Sequence, residues 1–384
     1  MKNRIYLDHA ATTPVSEKVL SAMLPFFTEC PGNASAVYGT GRDARKAVEE
    51  ARKKVAAALG AEPKEILFTG CGSESDNLAV KGTAFALQEK GRHIITTAIE
   101  HPAVLNSCRW LERHGFKVTY VRPDSAGRID PARIGEAIRK DTILISVMAA
   151  NNEIGTIEPI GEIGRIARER DVVFHTDAVQ AIGAVPADVN RWQVDLLSLS
   201  AHKFNGPKGV GALYVRRGMR IDPLVHGGEQ ERGLRAGTEN VPGIVGLGKA
   251  IEEAAAHLEE NTLRNGRLRD RLAEGILRSV PGAYLNGPGT ERLANNCNIR
   301  FDGIDGEALL LRLDLAGIAG SAGSACTAGS REVSHVLRAV GLTEEQAKGS
   351  LRLTVGPDNT EEEMDETIQT VKEIVEDLRS MFPG

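Results

Sequence analysis

Short apolar segments alternate with helical segments through the first two thirds of the chain, and this alternation restricts the fold more than any other feature. EILFTG, TILISVMAA and DLLSLSAHK, for example, are apolar runs of strand length, separated from one another by helices or loops. Continuous apolar strands between amphipathic helices are typical of a parallel sheet covered on both faces. The sequence therefore predicts an α/β fold for this region.

The pattern changes near residue 255. A long charged helix (HLEENTLRNGRLRDRLAEGILRSV) is followed by the apolar segments CNIRFDG and SLRLTVG and by a final charged helix. This order suggests a smaller α+β domain, and 384 residues exceed what one hydrophobic core usually supports. We expect a large domain over residues 14–255 and a small domain formed by 1–13 and 256–384.

Composition and charge exclude several functional classes. The net charge is −5 with a pI near 6.1, which argues against a nucleic-acid-binding surface. The apolar runs fall far short of the roughly 20 residues that span a bilayer, and no segment of signal-peptide length follows the first residues. Five scattered cysteines form neither a zinc-binding spacing nor an even disulfide set. We expect a cytoplasmic protein that binds neither nucleic acid nor membrane.

The segment LAGIAGSAGSACTAGS, which begins at Leu315, contains almost only small residues around one thiol, Cys326. Such a segment buries too little apolar surface to offset its ordering entropy, so at least part of it is expected to be mobile. A cysteine on an exposed loop is accessible for thiol chemistry. The sequence therefore predicts a loop over about 315–332 that carries a reactive Cys326.

Lys203 and Asp177 each follow an apolar strand. An amine at a strand end inside a cleft can lose its charge by desolvation and become a Schiff-base nucleophile, although most lysines are solvated surface charges. Lys208, in the same segment, is the rival candidate. Asp177 ends the strand in VVFHTDAVQ, where ligands of open α/β sheets bind, but it could equally cap a helix.

Two further strand ends complete a possible cofactor site. The small residues of Thr69–Glu74 let the backbone approach an anion, although a plain strand–turn–helix junction explains them equally well. His101 is either a structural histidine or a ring that stacks on a flat cofactor and exchanges protons. A phosphate cradle, a lysine nucleophile and an acidic partner for a pyridinium nitrogen together point to pyridoxal 5′-phosphate (PLP).

With these residues the chain resembles the cysteine desulfurases of the NifS/IscS type, which belong to the class V aminotransferase-like, fold-type I PLP enzymes. The resemblance extends over essentially the whole chain. It is carried by YLDHAATTP, GNASAVYGTGR, ESDNLAVKG, AIEHPAV, NNEIGTIEPI, HTDAVQ, SAHKFNGPKGVGALY, ERGLRAGTEN and GSACTAGS, in the order of the family. It implies a large PLP-binding domain with a mainly parallel sheet, and a smaller α+β domain that carries the catalytic cysteine loop.

The resemblance assigns cofactor roles position by position. Lys203 matches the lysine that holds PLP, Asp177 the carboxylate that keeps the pyridine nitrogen protonated, and His101 the imidazole stacked on the ring. Gln180 resembles the donor to the phenolic oxygen. The phosphate shell corresponds to Gly72, Ser73, Ser200 and His202, completed by Thr238 from a neighbouring subunit, which implies a homodimer.

The resemblance also implies the reaction. Asn152 and Arg352 resemble the groups that bind the carboxylate of the substrate L-cysteine. The thiolate of Cys326 attacks the substrate sulfur, which leaves L-alanine and an enzyme persulfide, and His101 is the first candidate to accept the thiol proton. The persulfide then passes to acceptor proteins such as an iron–sulfur scaffold. No resident metal is expected, although Cys326 could ligate a transient iron–sulfur cluster.

Two alternatives stay open from the sequence. The chain could be a selenocysteine lyase or another class V PLP enzyme, or a scaffold that binds sulfur acceptors without catalysis. The thiol at Cys326 favours sulfur transfer, and the intact set of Lys203, Asp177, His101 and Cys326 argues against a scaffold. Cys71 departs from the IscS-type pattern, and we expect it to pack as a small structural side chain.

Overall fold

The structure is a computed structural model that describes residues 4–322 and 333–381. In chain order its strands are β1 (Ile5–Tyr6), β2 (Ile66–Thr69), β3 (His93–Thr97), β4 (Lys117–Val121), β5 (Thr142–Ser146), β6 (Val173–Asp177), β7 (Leu196–Ser200), β8 (Gly211–Val215), β9 (Ala283–Leu285), β10 (Asn296–Phe301), β11 (Ile318–Ala319), β12 (Ser321–Ala322) and β13 (Ser350–Thr354).

The α-helices of the described residues alternate with strands β2–β7 and then dominate the C-terminal third. They are α1 (Glu17–Met23), α2 (Pro25–Thr28), α3 (Gly39–Leu59), α4 (Gly72–Asn77), α5 (Thr83–Ala86), α6 (Pro102–Glu112), α7 (Pro131–Ala137), α8 (Ile160–Glu169), α9 (Val189–Trp192), α10 (Val241–Ala256), α11 (Leu258–Ser279), α12 (Gly306–Ala316), α13 (His335–Ala339), α14 (Glu344–Lys348) and α15 (Glu361–Met381).

Seven strands form the large sheet, in the order β2-β8-β7-β6-β5-β3-β4. Strands β3 to β7 pair in parallel, whereas β8 runs antiparallel to both of its neighbours, β7 and β2. The connection 201–210 from β7 to β8 is shorter than the dozen or so residues that a parallel crossover needs, so β8 must reverse direction. The sequence-based prediction of a mainly parallel sheet is confirmed.

The helical segment that follows β2 is interrupted. Helix α4 gives way to a π-helical turn at Leu78–Gly82 before α5, which ends at Ala86. At Gly82 a Cβ atom would lie only 2.7 Å from the carbonyl oxygen of Asp222, which belongs to the connection after β8. Glycine is therefore needed where this connection passes the helical segment. Single π-turns of this kind often occur near functional sites.

The second sheet is antiparallel and has the order β12-β13-β10-β9. It packs against α11 and α12, on which α15 packs in turn, and the shared apolar core includes Leu272, Ile299, Leu353 and Val375. A separate and larger core lies around the seven-stranded sheet, where α3 and α10 pack together. The domain boundaries at residues 14 and 255 stay a prediction.

The N-terminal segment connects the two sheets. Strand β1 pairs in parallel with β11, and Asp8 then forms a parallel bridge to Thr354 at the end of β13. Five residues further along, the Thr13 amide donates to the carbonyl of His202 (2.9 Å) beside the large sheet. Residues 8–13 therefore cross from the small sheet to the carboxyl edge of the large one.

Candidate active site

The carboxyl ends of the strands of the large sheet surround a cavity of about 300 Å³. Ten of the twelve residues expected from the sequence line it: Gly72, Ser73, His101, Asn152, Asp177, Gln180, Ser200, His202, Lys203 and Arg352. Parallel strands bring their carboxyl ends to one edge, which is why residues so distant in sequence meet there. The two remaining residues are Thr238 and Cys326.

Lys203 lies in a short 3-10 turn that follows β7 directly. Its Nζ donates to the carbonyl oxygens of Ala10 (2.6 Å) and Ala11 (2.8 Å) in the N-terminal segment. Lys208, the rival candidate, is exposed to solvent and does not line the cavity. The structure therefore places the Lys203 amine in the cavity, and holds it there with backbone carbonyls.

Asp177 and His101 lie on facing sides of the same buried region. Asp177 ends β6, and one of its oxygens accepts from the Val179 amide (2.9 Å). Burial raises the pKa of Asp177, while the nearby His101 and Lys203 oppose this rise. A positively charged partner placed against Asp177 would therefore meet a carboxylate that is more basic than a solvated aspartate.

His101 is the N-cap of α6, and its Nδ1 accepts from the Ala103 amide (3.1 Å). Burial lowers the pKa of His101, so the ring is neutral near pH 7. Because Nδ1 is an acceptor here, the neutral ring carries its proton on Nε2. This tautomer favours hydrogen-bond donation from Nε2 over acceptance of a proton at that atom.

Ser200 and Gly72 form a recess that fits a phosphate group. Ser200 is 1% exposed, and its hydroxyl oxygen is buried without a hydrogen-bond partner among the described residues. A Cβ atom at Gly72 would lie 2.8 Å from Val179 Cγ2 and 3.3 Å from Ser200 Cβ, so glycine keeps this recess open. An unpaired donor beside exposed backbone at the start of α4 matches what the phosphate of PLP requires.

Arg352 lines the same cavity from β13 and is 2% exposed. Its guanidinium donates to Asp8 Oδ1 (2.9 Å) and to the backbone carbonyl of Asn152 (3.1 Å). The Nε of Arg352 is buried and has no hydrogen-bond partner in the part of the chain that the structure describes. The Arg352 guanidinium thus retains an N–H donor, its Nε, for the carboxylate of a ligand. Asp8 occupies part of the position that this carboxylate would take.

Several residues of the cavity escaped the sequence reasoning. Ala10 and Ala11 contribute backbone carbonyls, which leave no signature in side-chain chemistry. Asp76 lines the cavity from α4, one turn after Gly72, where its position in the sequence resembles a solvated helix residue. Cys71, within the Thr69–Glu74 segment singled out above, also lines the cavity as the N-cap of α4, and its structural role stays a prediction.

The two remaining predicted residues do not meet the others within the described chain. Thr238 is exposed and lies outside the lining of the cavity. Cys326 lies outside the described residues, as does most of the predicted loop over 315–332, of which 315–322 are the end of α12 and strands β11 and β12. The roles of Thr238 and Cys326 remain predictions.

Comparison with known proteins decides the family. The family model for class-V aminotransferases matches residues 5–367, nearly the whole chain. The chain belongs to the class-V aminotransferase family. Among curated relatives of this family, the cysteine desulfurase IscS of Methanosarcina thermophila is 58% identical over 99% of this chain and 94% of its own length. The cysteine desulfurase IscS of Dictyoglomus turgidum is 52% identical over 100% of this chain and 97% of its own length.

Solved structures of class-V aminotransferase relatives give the same result. A NifS-like protein superimposes with a TM-score of 0.92 at 42% identity, covering 97% of this chain and 99% of its own. SspA, solved in complex with cysteine, superimposes with a TM-score of 0.82 at 41% identity, covering 93% and 100%. The fold is that of the fold-type I PLP enzymes.

The resemblance found from the motifs is confirmed. The enzyme is a cysteine desulfurase, and therefore a sulfurtransferase, and its cofactor is PLP. The alternative of a selenocysteine lyase is not favoured, because the relatives are named cysteine desulfurases. Within the described residues, none of the helices combines the length and the apolar character that crossing a membrane requires.

Proposed function

We propose that the cavity at the edge of the large sheet desulfurates L-cysteine, with Lys203 as the residue that holds PLP covalently. The observation that carries this proposal is the position of the Lys203 amine in one cavity with Asp177, His101 and the Ser200 recess. Bound PLP supplies an electron sink that stabilises negative charge at the α-carbon of an amino acid. The remaining steps belong to the side chains of the chain itself.

The residues that line the cavity would orient the cofactor. Gly72, Ser73, Ser200 and His202 would hold the phosphate of PLP, and the Asp177 carboxylate would keep the pyridine nitrogen protonated. His101 would stack on the ring as a neutral imidazole. Gln180, whose Nε2 donates to the Ala10 carbonyl (2.9 Å) within the chain, would donate to the phenolic oxygen once the cofactor is bound.

Substrate binding falls to Arg352 and Asn152. The buried guanidinium receives the carboxylate of L-cysteine, and Asp8 gives up part of its contact when this carboxylate arrives. SspA, a relative of similar fold, was solved with cysteine, which supports an amino-acid ligand in this cavity. Lys203 would hold PLP until the substrate amine takes its place, and the freed Lys203 Nζ would then accept the α-proton of the substrate.

Sulfur transfer falls to Cys326. Its thiolate attacks the substrate sulfur, an S–S bond forms and the C–S bond breaks, and the electron pair left on Cβ takes up a proton to give L-alanine. Because the Nδ1 of His101 is engaged with the Ala103 amide, His101 must leave this bond before its ring can take the thiol proton. Hydrogen-bond donation from Nε2 to the substrate requires no such change.

Four further elements belong to this proposal. The active unit is a homodimer in which the exposed Thr238 reaches the phosphate of the partner's site. The persulfide passes to acceptor proteins, among them an iron–sulfur scaffold. The large domain spans residues 14–255, and the small domain comprises the rest. The location is cytoplasmic, which agrees with four described cysteines that form no disulfide.

The proposal is tested by replacing each of two cysteines. We expect Cys326→Ser to abolish the enzyme persulfide and to reduce alanine release by at least about a hundredfold, because serine cannot accept sulfur. The matched control Cys71→Ser, at the rim of the same cavity, should retain the persulfide. Mass spectrometry after incubation with L-cysteine locates the added sulfur, and a persulfide on any other cysteine would contradict the proposal.

A further inference from the structure

Asp76 is a second carboxyl at the base of the cavity. It lies on α4, is 1% exposed and lines the cavity wall. One ligand atom from each of Asp76, His101 and Asp177 lies within 4.8 Å of the others. The Oδ1 of Asp76 is buried and has no hydrogen-bond partner within residues 4–322 and 333–381. Two buried carboxyls thus lie close to the position proposed for the cofactor ring.

Groups that are negative when ionised act on Asp76. Asp177, Glu100 and Cys71 disfavour its ionised form, and the Ser198 hydroxyl favours it. Lys203 and His101 favour the ionised form of Asp177. Burial, followed by the charge of Asp177, raises the pKa of Asp76 well above its usual value.

His175 approaches Asp76 but carries no charge. Its Nε2 lies 3.7 Å from Asp76 Oδ1 and 3.0 Å from the Ser198 hydroxyl, and its Nδ1 lies 2.8 Å from the Ser146 hydroxyl. Burial lowers the pKa of His175 to about 3, so the ring is neutral at physiological pH. A neutral imidazole held between two hydroxyls offers Asp76 no counter-ion.

We propose that Asp76 is a further positioning residue of the cofactor site: a carboxyl kept neutral beside Asp177, so that a single negative charge faces the cofactor ring. This inference rests on the proposed role of Asp177. Two ionised carboxylates at this separation in a buried site repel each other, so one proton stays on the pair. The neutral Asp76 acts through Asp177, because it limits the charge that sets the basicity of the pyridine nitrogen.

Infrared spectroscopy of the holoenzyme tests this directly. Wild-type enzyme labelled with ¹³C-aspartate should show, at pH 8, the isotope-shifted carbonyl stretch of a protonated carboxyl. Asp76→Asn should lose this signal, and Glu100→Gln, which removes a buried glutamate, should keep it. Absence of any protonated aspartate in the labelled wild type would overturn the inference without reference to a variant.

Stability gives a second readout with a definite sign. The pKa of Asp76 is raised in the folded state. Its contribution to the free energy of unfolding is therefore fully present below the unfolded-state pKa of about 3.9 and is lost as the pH rises. Asparagine does not titrate, so it loses no stability as the pH rises. Asp76→Asn should therefore have a higher melting temperature than wild type at pH 8, and this difference in melting temperature should shrink toward pH 4. A lower melting temperature at pH 8 would show that Asp76 is ionised and would overturn the inference.

The absorbance titration of bound PLP separates this inference from the proposed function. We expect Asp76→Asn to keep the wild-type midpoint of this pH titration. Asp76→Leu should shift the midpoint modestly through lost packing, and Asp177→Asn should shift it by about one pH unit or more. A midpoint displaced as far in Asp76→Asn as in Asp177→Asn would overturn the neutral state of Asp76. An unchanged midpoint in Asp177→Asn would instead overturn the proposed role of Asp177.

Discussion

The two ends of the cavity are built in different ways. At the cofactor end, Asp177 and Ser200 end adjacent strands of one sheet, and Lys203 lies in the turn after the second of them. At the carboxylate end, Arg352 on β13 meets Asp8 and the carbonyl of Asn152, from segments far apart in the chain. The cofactor end is therefore a property of the large sheet, whereas the carboxylate end exists only where the two sheets meet. We expect changes at one end to leave the other intact.

The largest effect that sharpens this comparison is expected at Arg352. Arg352→Lys keeps the charge but loses the planar fork, which removes one or two charge-assisted hydrogen bonds worth about 1.5–3 kcal/mol each. We expect kcat/KM for L-cysteine to fall by about ten- to a hundredfold, mostly through KM. The absorbance spectrum of bound PLP should stay unchanged.

The exposed Arg4, which pairs with Asp314 at 3.2 Å, supplies the matched control. Arg4→Lys should behave as wild type in steady-state kinetics. If Arg352→Lys altered the PLP spectrum as strongly as it altered KM, the two ends of the cavity would not be independent.

An effect of intermediate size, on PLP binding and not on the KM for L-cysteine, is expected at Gly72. Gly72→Ala places a methyl group 2.8 Å from Val179 Cγ2, and this contact must be relieved by closing the phosphate recess. We expect PLP to bind about tenfold more weakly, which corresponds to about 1.4 kcal/mol, while the KM for L-cysteine of the loaded enzyme is retained.

Gly266 on α11 offers the control, since a Cβ atom there meets no other atom within 4 Å. Gly266→Ala should leave PLP affinity unchanged in a fluorescence titration of the apoenzyme. Equal PLP affinity for Gly72→Ala and wild type would show that the recess does not hold the phosphate.

The smallest effect is expected at His202. Burial lowers its pKa to about 4, and its Nδ1 lies 3.1 Å from the Thr12 hydroxyl. The ring is therefore neutral above about pH 5 and does not titrate in the working range. His202→Gln should weaken PLP binding only a few-fold and leave the shape of the kcat/KM–pH profile unchanged between pH 6 and 8; a displaced limb would contradict this assignment.

The difference between the two ends also explains what the sequence could reveal. Residues such as Asp177 and Lys203 stand directly after apolar strands, and parallel topology alone brings these positions together. Helix and strand positions in the large sheet followed from the same alternation. The reversal of β8 and the π-turn at Leu78–Gly82 depend on loop length and on a close backbone contact, which periodicity does not encode.

The carboxylate end and the base of the cavity were less accessible. The pairing of Asp8 with Arg352 joins residues near the two ends of the chain, so no local pattern announces it. The carbonyls of Ala10 and Ala11 act through the backbone, and Asp76 differs from a surface aspartate only by its burial. Motif resemblance did point to Arg352 and Asn152, but their geometry required the packing of the two sheets.

The central claim is that the Lys203 amine holds PLP in this cavity. Borohydride reduction of the holoenzyme, followed by proteolysis and mass spectrometry, fixes the cofactor to the residue that carries it. The account predicts a phosphopyridoxyl group on the peptide that contains Lys203, and none after Lys203→Ala, while Lys208→Ala retains it. A modification that maps to Lys208 or to any other lysine would contradict the account.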